Sequence, residues 1–82
     1  MKVFDIFRVL ETLDCMENLC NSGVISKVNC ARYVRYTRYL EQKKLNAGDT
    51  HYNLLTDLSI ELDVSIQTLY KDIRMMETQI LQ

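Results

Sequence analysis

Four side chains in this sequence have the chemistry to hold a metal, form a disulfide or act as nucleophiles: Cys15, Cys20, Cys30 and His51. Their spacing argues against each use. A tetrahedral zinc site draws on closely spaced ligand pairs, and no Cys-x-x-Cys occurs here. Two ligands five apart on one helix, as Cys15 and Cys20 would be, are badly placed for a compact site. An odd cysteine count without regular spacing is not a disulfide framework. The three are therefore expected to be small buried hydrophobes, with no metal and no cofactor. There is also no nucleophile with an evident base, no glycine-rich phosphate loop and no paired carboxylates, so the chain reads as a non-enzyme.

The charges carry more information. The 82 residues sum to −1, but residues 1–25 hold −2, residues 26–48 hold +5 and residues 49–82 hold −4. The basic block sets Lys27, Arg32, Arg35, Arg38, Lys43 and Lys44 against Glu41. Such a run is either a solvated helix face or a surface for phosphates.

These side chains must be positioned by helices. Nearly half of the residues are apolar, there is no Pro, and the only glycines are Gly23 and Gly48. A strand-rich fold needs more turn residues than that. An 82-residue chain makes one small domain, residues 1–82. No apolar run approaches the roughly 20 residues of a membrane span, and Asp5, Arg8 and Glu11 interrupt the first apolar segment. The expectation is an all-α, four-helix, cytoplasmic domain with no membrane partner.

Apolar periodicity places the helices at about residues 2–20, 27–46, 51–62 and 66–80. The first carries an apolar arc wider than one partner needs: Val3, Phe4, Ile6, Phe7, Val9, Leu10, Leu13 and Met16. Gly23 suits a left-handed cap, and Ser26 an N-cap. In the second helix, Cys30, Tyr33, Val34, Thr37 and Leu40 share one face, with Tyr36 at its edge. Arg32, Arg35 and Tyr39 fall opposite. Gly48 is expected to end that helix, with Asp49 or Thr50 capping the third. The third buries Leu54, Leu55, Leu58 and Leu62. The fourth, capped by Ser65, carries the ladder Ile66, Leu69, Ile73, Met76 and Ile80.

Residues 58–77 read LSIELDVSIQTLYKDIRMME. Ser59 is small where a second helix would cross, Leu62 and Val64 clamp a short turn, and Leu69 and Ile73 face inward. The string Leu58, Ser59, Leu62, Asp63, Val64, Ser65, Thr68, Leu69, Tyr70, Asp72 and Ile73 resembles the signature of bacterial helix-turn-helix regulators. The resemblance covers about twenty residues of the chain, within a motif at about 54–77. It departs at Asp63, where the family usually has Gly; Asp tolerates the left-handed region less well. Many of these regulators continue into a β-hairpin wing, and none is expected here.

The resemblance implies that the fourth helix enters the major groove, presenting Ser65, Ile66, Gln67, Tyr70 and Lys71, with Arg74 nearer the backbone. Gln67 suits bidentate contact with adenine. Beside such a motif, Arg32, Arg35, Arg38, Lys43 and Lys44 read as phosphate contacts. The expected function is a small transcriptional regulator or accessory factor on double-stranded DNA, a homodimer through its N-terminal helix. The alternative is a protein-interaction module on the same fold, favoured by the acids Asp57, Glu61, Asp63 and Asp72 in or beside the motif.

Overall fold

A computed structural model describes residues 1–80, and all its regular elements are α-helices: α1 (Val3–Thr12), α2 (Met16–Asn21), α3 (Lys27–Leu45), α4 (His51–Leu62) and α5 (Ile66–Met76). The all-α class is as expected, with five helices where four were read. No helix among the described residues is long and apolar enough to cross a membrane.

The expected first helix, 2–20, is two. The backbone amide of Lys2 donates to the Asp5 carboxylate at 2.8 Å, starting α1 with an acid in its first turn. The helix stops after Thr12 because Asp14 turns left-handed (φ 58°), a conformation Asp tolerates through its short polar side chain. The six-residue α2 follows and ends at Gly23 (φ 83°), as its freedom at positive φ predicts.

The 19-residue α3 is the spine. Ser26 caps it by accepting from the Asn29 amide. The helix ends at Leu45, and Gly48 is not at positive φ. Its buried stripe is Tyr33, Tyr36 and Tyr39, while Val34 is 64% exposed. The inner face is thus rotated by roughly a quarter turn from the expected one, bringing Tyr39, Arg32 and Arg35 inward. Two physical reasons account for this. Three large rings at i, i+3 and i+6 bury more area than the Val34 face, and a paired guanidinium can follow them in. Phe4 of α1 sits 4.8 Å from the Tyr36 ring and 5.5 Å from the Tyr33 ring, and Phe7 lies 5.7 Å from Tyr33.

Helices α4 and α5 pack on α3 and on each other. Thr50 caps α4 through the Asn53 amide, and Ser65 caps α5 through the Thr68 amide at 3.1 Å. Between them Asp63 is left-handed (φ 54°, ψ 47°), and the Val64 amide returns to the Ser59 carbonyl at 3.1 Å. Leu54, Leu55, Leu58, Leu69 and Met76 are buried in the shared core.

The last helix ends at Met76 rather than near 80. Beyond it, the Val3 amide donates to the Thr78 carbonyl at 3.0 Å and the Ile80 amide to the Met1 carbonyl at 2.9 Å. Pairing with the N-terminal residues supplies the hydrogen bonds that further helix would have made. The expectation of three thiols is also corrected: Cys20 and Cys30 form a disulfide between α2 and α3, leaving Cys15 free. The break at Asp14 redirects Cys20 toward α3, which one straight helix would not do.

The tyrosine hydroxyls are tied to carboxylates. Tyr33 donates to Glu11, and Tyr36 donates to Glu77 at 2.8 Å. Burial first, and then the Glu11 contact, push the Tyr33 phenol from 10.0 up to about 12. The same two influences, burial and Glu77, raise Tyr36. A folded phenol that holds its proton more tightly than the unfolded chain costs nothing below the unfolded value and weakens the fold above it. Stability should therefore fall as pH rises from 10.0 to about 12. Tyr33→Phe should flatten that loss in denaturation curves taken across the window; an unchanged slope would clear Tyr33 of the effect.

Candidate nucleic-acid interface

Each cation expected to contact phosphate has a distinct position. The Arg35 guanidinium points inward, donating from Nε to Asp72 Oδ2 at 2.5 Å and from Nη2 to Asp72 Oδ1 at 2.9 Å. Arg32 approaches the same carboxylate at 3.7 Å. The Asp72 side chain is only 2% exposed, so this two-armed contact closes inside the α3–α5 seam. It holds the Arg35 proton above its ordinary affinity, the Asp72 hydrogen bond being the largest cause. Arg38 donates to both oxygens of Glu61 on α4, at 2.8 and 2.6 Å, and to Glu41 at 3.2 Å. The Glu61 contacts raise Arg38, and Arg38 in turn lowers Glu61. The arginine run is therefore a set of braces from α3 to α4 and α5.

Lys43 and Lys44 are exposed and diverge. The Lys43 ammonium lies 5.8 Å over the Tyr39 ring. Lys44 lines a different cleft, with Arg8, Glu11 and Glu41, toward α1.

On α5 the residues divide by face. Leu69, Asp72 and Met76 are buried, and Ile66 and Ile73 are half-buried against the core. Gln67, Tyr70, Lys71 and Arg74 are exposed and fall within one arc at 100° per residue. Among the described residues neither Lys71 nor Arg74 has a carboxylate within ion-pair distance. The outward face of α5 thus carries two cations, an amide and a phenol, and no acid. Ser65 is occupied as the cap, its hydroxyl also 3.0 Å from that of Thr68.

The acids that would repel phosphate are mostly turned aside. Asp72 is buried; Asp57 and Glu61 line a groove with Gln42 of α3 and Asn46 just after it; Asp63 stays exposed in the turn.

His51, to which neither the motif nor the charge pattern assigns a role, borders the same surface. Its ring lies 5.9 Å from Tyr39 and 6.0 Å from Tyr70. The short 46–50 connection returns α4 to the end of α3, setting its first residue beside Tyr39. Asp72 could have been found, since three residues after Leu69 it falls beside Met76 on the apolar arc of α5.

No known protein family, curated protein or solved structure matches the chain. The likeness to helix-turn-helix regulators therefore rests on the motif string alone.

Removing Arg35 should unmake the fold before it affects any ligand. Arg35→Ala leaves a buried carboxylate with one distant partner, a loss of about 3–5 kcal/mol when a buried pair is broken one-sidedly. The double change Arg35→Leu with Asp72→Leu should recover much of it in urea denaturation. An Arg35→Ala protein of parental stability would return this guanidinium to the list of solvent-facing contacts.

Proposed function

We propose that this chain binds double-stranded DNA, with α4 and α5 acting as a helix-turn-helix and α5 as the helix laid in the major groove. The observation that carries the reading is the acid-free outward face of α5, Gln67, Tyr70, Lys71 and Arg74, on a helix whose one acid is buried and paired. A helix entering a groove of phosphates needs cations at its flanks and donors toward the base edges. Here Lys71 and Arg74 take the phosphates, Gln67 reads a base, and Tyr70 reaches a phosphate oxygen or sugar. Lys43 extends the cationic rim, and the His51 ring stands beside Tyr70. The left-handed Asp63 and the Ser65 cap support the motif reading, because they give the three-residue turn it requires.

The reading differs from the sequence expectation in where the affinity arises. With Arg35 and Arg38 engaged by Asp72 and Glu61, few cations remain for phosphates, so the salt dependence should be shallow. A regulator or accessory factor of this kind gains selectivity by pairing. A second copy is the favoured partner, because Ile6 and Val9 of α1 and Leu13 just after it are exposed on one side. Two-fold pairing there would present two reading helices to a pseudo-palindromic site.

Gel-shift titrations over a range of salt test the proposal. Lys71→Ala should weaken binding uniformly across sequences and lower the salt slope by about 1. Gln67→Ala should relax preference at one position, at about 1–3 kcal/mol for the preferred base. Arg38→Ala should leave the slope unchanged. Absence of binding at low salt would leave the α5 face to a protein partner. For the pairing, Val9→Glu is the informative variant, because Val9 is 51% exposed whereas Phe7 packs on Tyr33. Light scattering should find a parental dimer and a folded Val9→Glu monomer; a monomeric parent removes the two-fold arrangement.

A further inference from the structure

The Cys20–Cys30 bond lies in surroundings with a chemical consequence. The six-residue α2 has no buried residue and packs chiefly on α1. No hydrogen bond or ion pair among the described residues joins it to α3; beyond the 22–26 backbone and the Met16 side chain, which packs at the edge of the core, the disulfide is its tie to that helix. Both cysteines open onto a surface cleft of about 380 Å³, beside Met16 and walled by the carboxylates of Glu11, Asp14 and Glu17. Among the described residues no cation lines that cleft. The braces that hold α3, α4 and α5 together, Arg35–Asp72 and Arg38–Glu61, lie elsewhere.

We propose that Cys20–Cys30 is a reversible thiol–disulfide site, opened by uncharged or cationic thiol reductants and screened from anionic ones, whose opening frees α2 from α3 without dismantling the α3–α5 core. The reductant's thiolate attacks the sulfur of Cys20 or Cys30, forming a mixed disulfide. The other cysteine leaves as thiolate and takes a proton from water. A second thiolate, from the same dithiol or another reductant molecule, then attacks the reductant's sulfur and releases the remaining cysteine. The protein gains two thiols and the reductant ends as its own disulfide. The three carboxylates act at the first encounter. They set a negative potential at the cleft mouth, which lowers the local concentration of an anionic thiolate carrier relative to a neutral or cationic one.

This inference does not rest on DNA binding. It concerns the opposite end of α3 and would stand if the α5 face proved to bind protein.

The test uses the full chain, purified in air. Alkylation and mass measurement should find one reactive thiol before reduction and three after dithiothreitol in native buffer. Three small monothiols then probe the charge dependence: cysteamine, mercaptoethanol and mercaptoethanesulfonate, each normalised to its rate on an exposed disulfide peptide. The expected order is cysteamine, then mercaptoethanol, then mercaptoethanesulfonate. The extremes should differ several-fold at low salt, and the gap should narrow in high salt and in Glu17→Gln. Hydrogen exchange on the reduced protein should rise across residues 16–30 and stay slow in the buried parts of α3, α4 and α5. Three free thiols at the outset, a bond that opens only in denaturant, normalised rates indifferent to charge, or exchange rising throughout the chain would each overturn the proposal.

Discussion

A single buried carboxylate organises this molecule. Asp72 lies at the seam between α3 and α5, the most extensively packed pair of helices, and is closed by both arms of Arg35 with Arg32 behind. A buried charge is tolerated only when its partners are fixed in place. Satisfying Asp72 therefore sets the rotation of α3 about its axis and the facing of α5. With Arg35 turned inward beside the buried rings of Tyr36 and Tyr39, Val34 is left to solvent. Once Asp72 points inward, Gln67, Lys71 and Arg74 must point out. The ion pair and the buried tyrosine stripe agree on one rotation of α3, and the facing of Asp72 sets the composition of the proposed reading face.

The second layer of organisation is aromatic. Phe4 and Phe7 from α1 meet the tyrosine stripe of α3, and the stripe continues through His51 to Tyr70. Hydroxyls at its α1 end are taken up by Glu11 and Glu77, so the rings are buried without leaving polar groups unmet. This is how a chain of 82 residues with no Trp and two Phe fills a core. Tyrosine supplies the volume, and acids from neighbouring segments supply the acceptors.

What could be read beforehand was local. The caps Ser26 and Ser65, the left-handed Gly23 and Asp63, the span 51–62, and the inward Leu54, Leu55, Leu58 and Leu69 all follow from short-range rules. What escaped depends on pairs far apart in sequence. Arg35 and Asp72 are separated by 37 positions, and nothing in either neighbourhood announces the other. A rule that sends arginine outward therefore turned α3 the wrong way. The left-handed turn at Asp14 was hidden because apolar spacing continues across it, and the Cys20–Cys30 bond was hidden behind the same error. The four residues of the α5 face were legible, since the fourth helix had its ladder correctly phased. The arginine contacts were not, because their real partners are carboxylates of the protein itself.

The distribution of tyrosines also makes the molecule its own optical probe. With no Trp, its ultraviolet emission comes from five phenols. An excited phenol is a far stronger acid than in its ground state, and a carboxylate already accepting its hydrogen bond offers a fast path to the dark. Tyr33 and Tyr36 are in that position, and Tyr39 is buried between Tyr36 and His51. The light that remains is weighted toward the two exposed rings, Tyr52 and Tyr70. One of these stands on the outward face of α5, so whatever comes to rest on that face reports itself without a label.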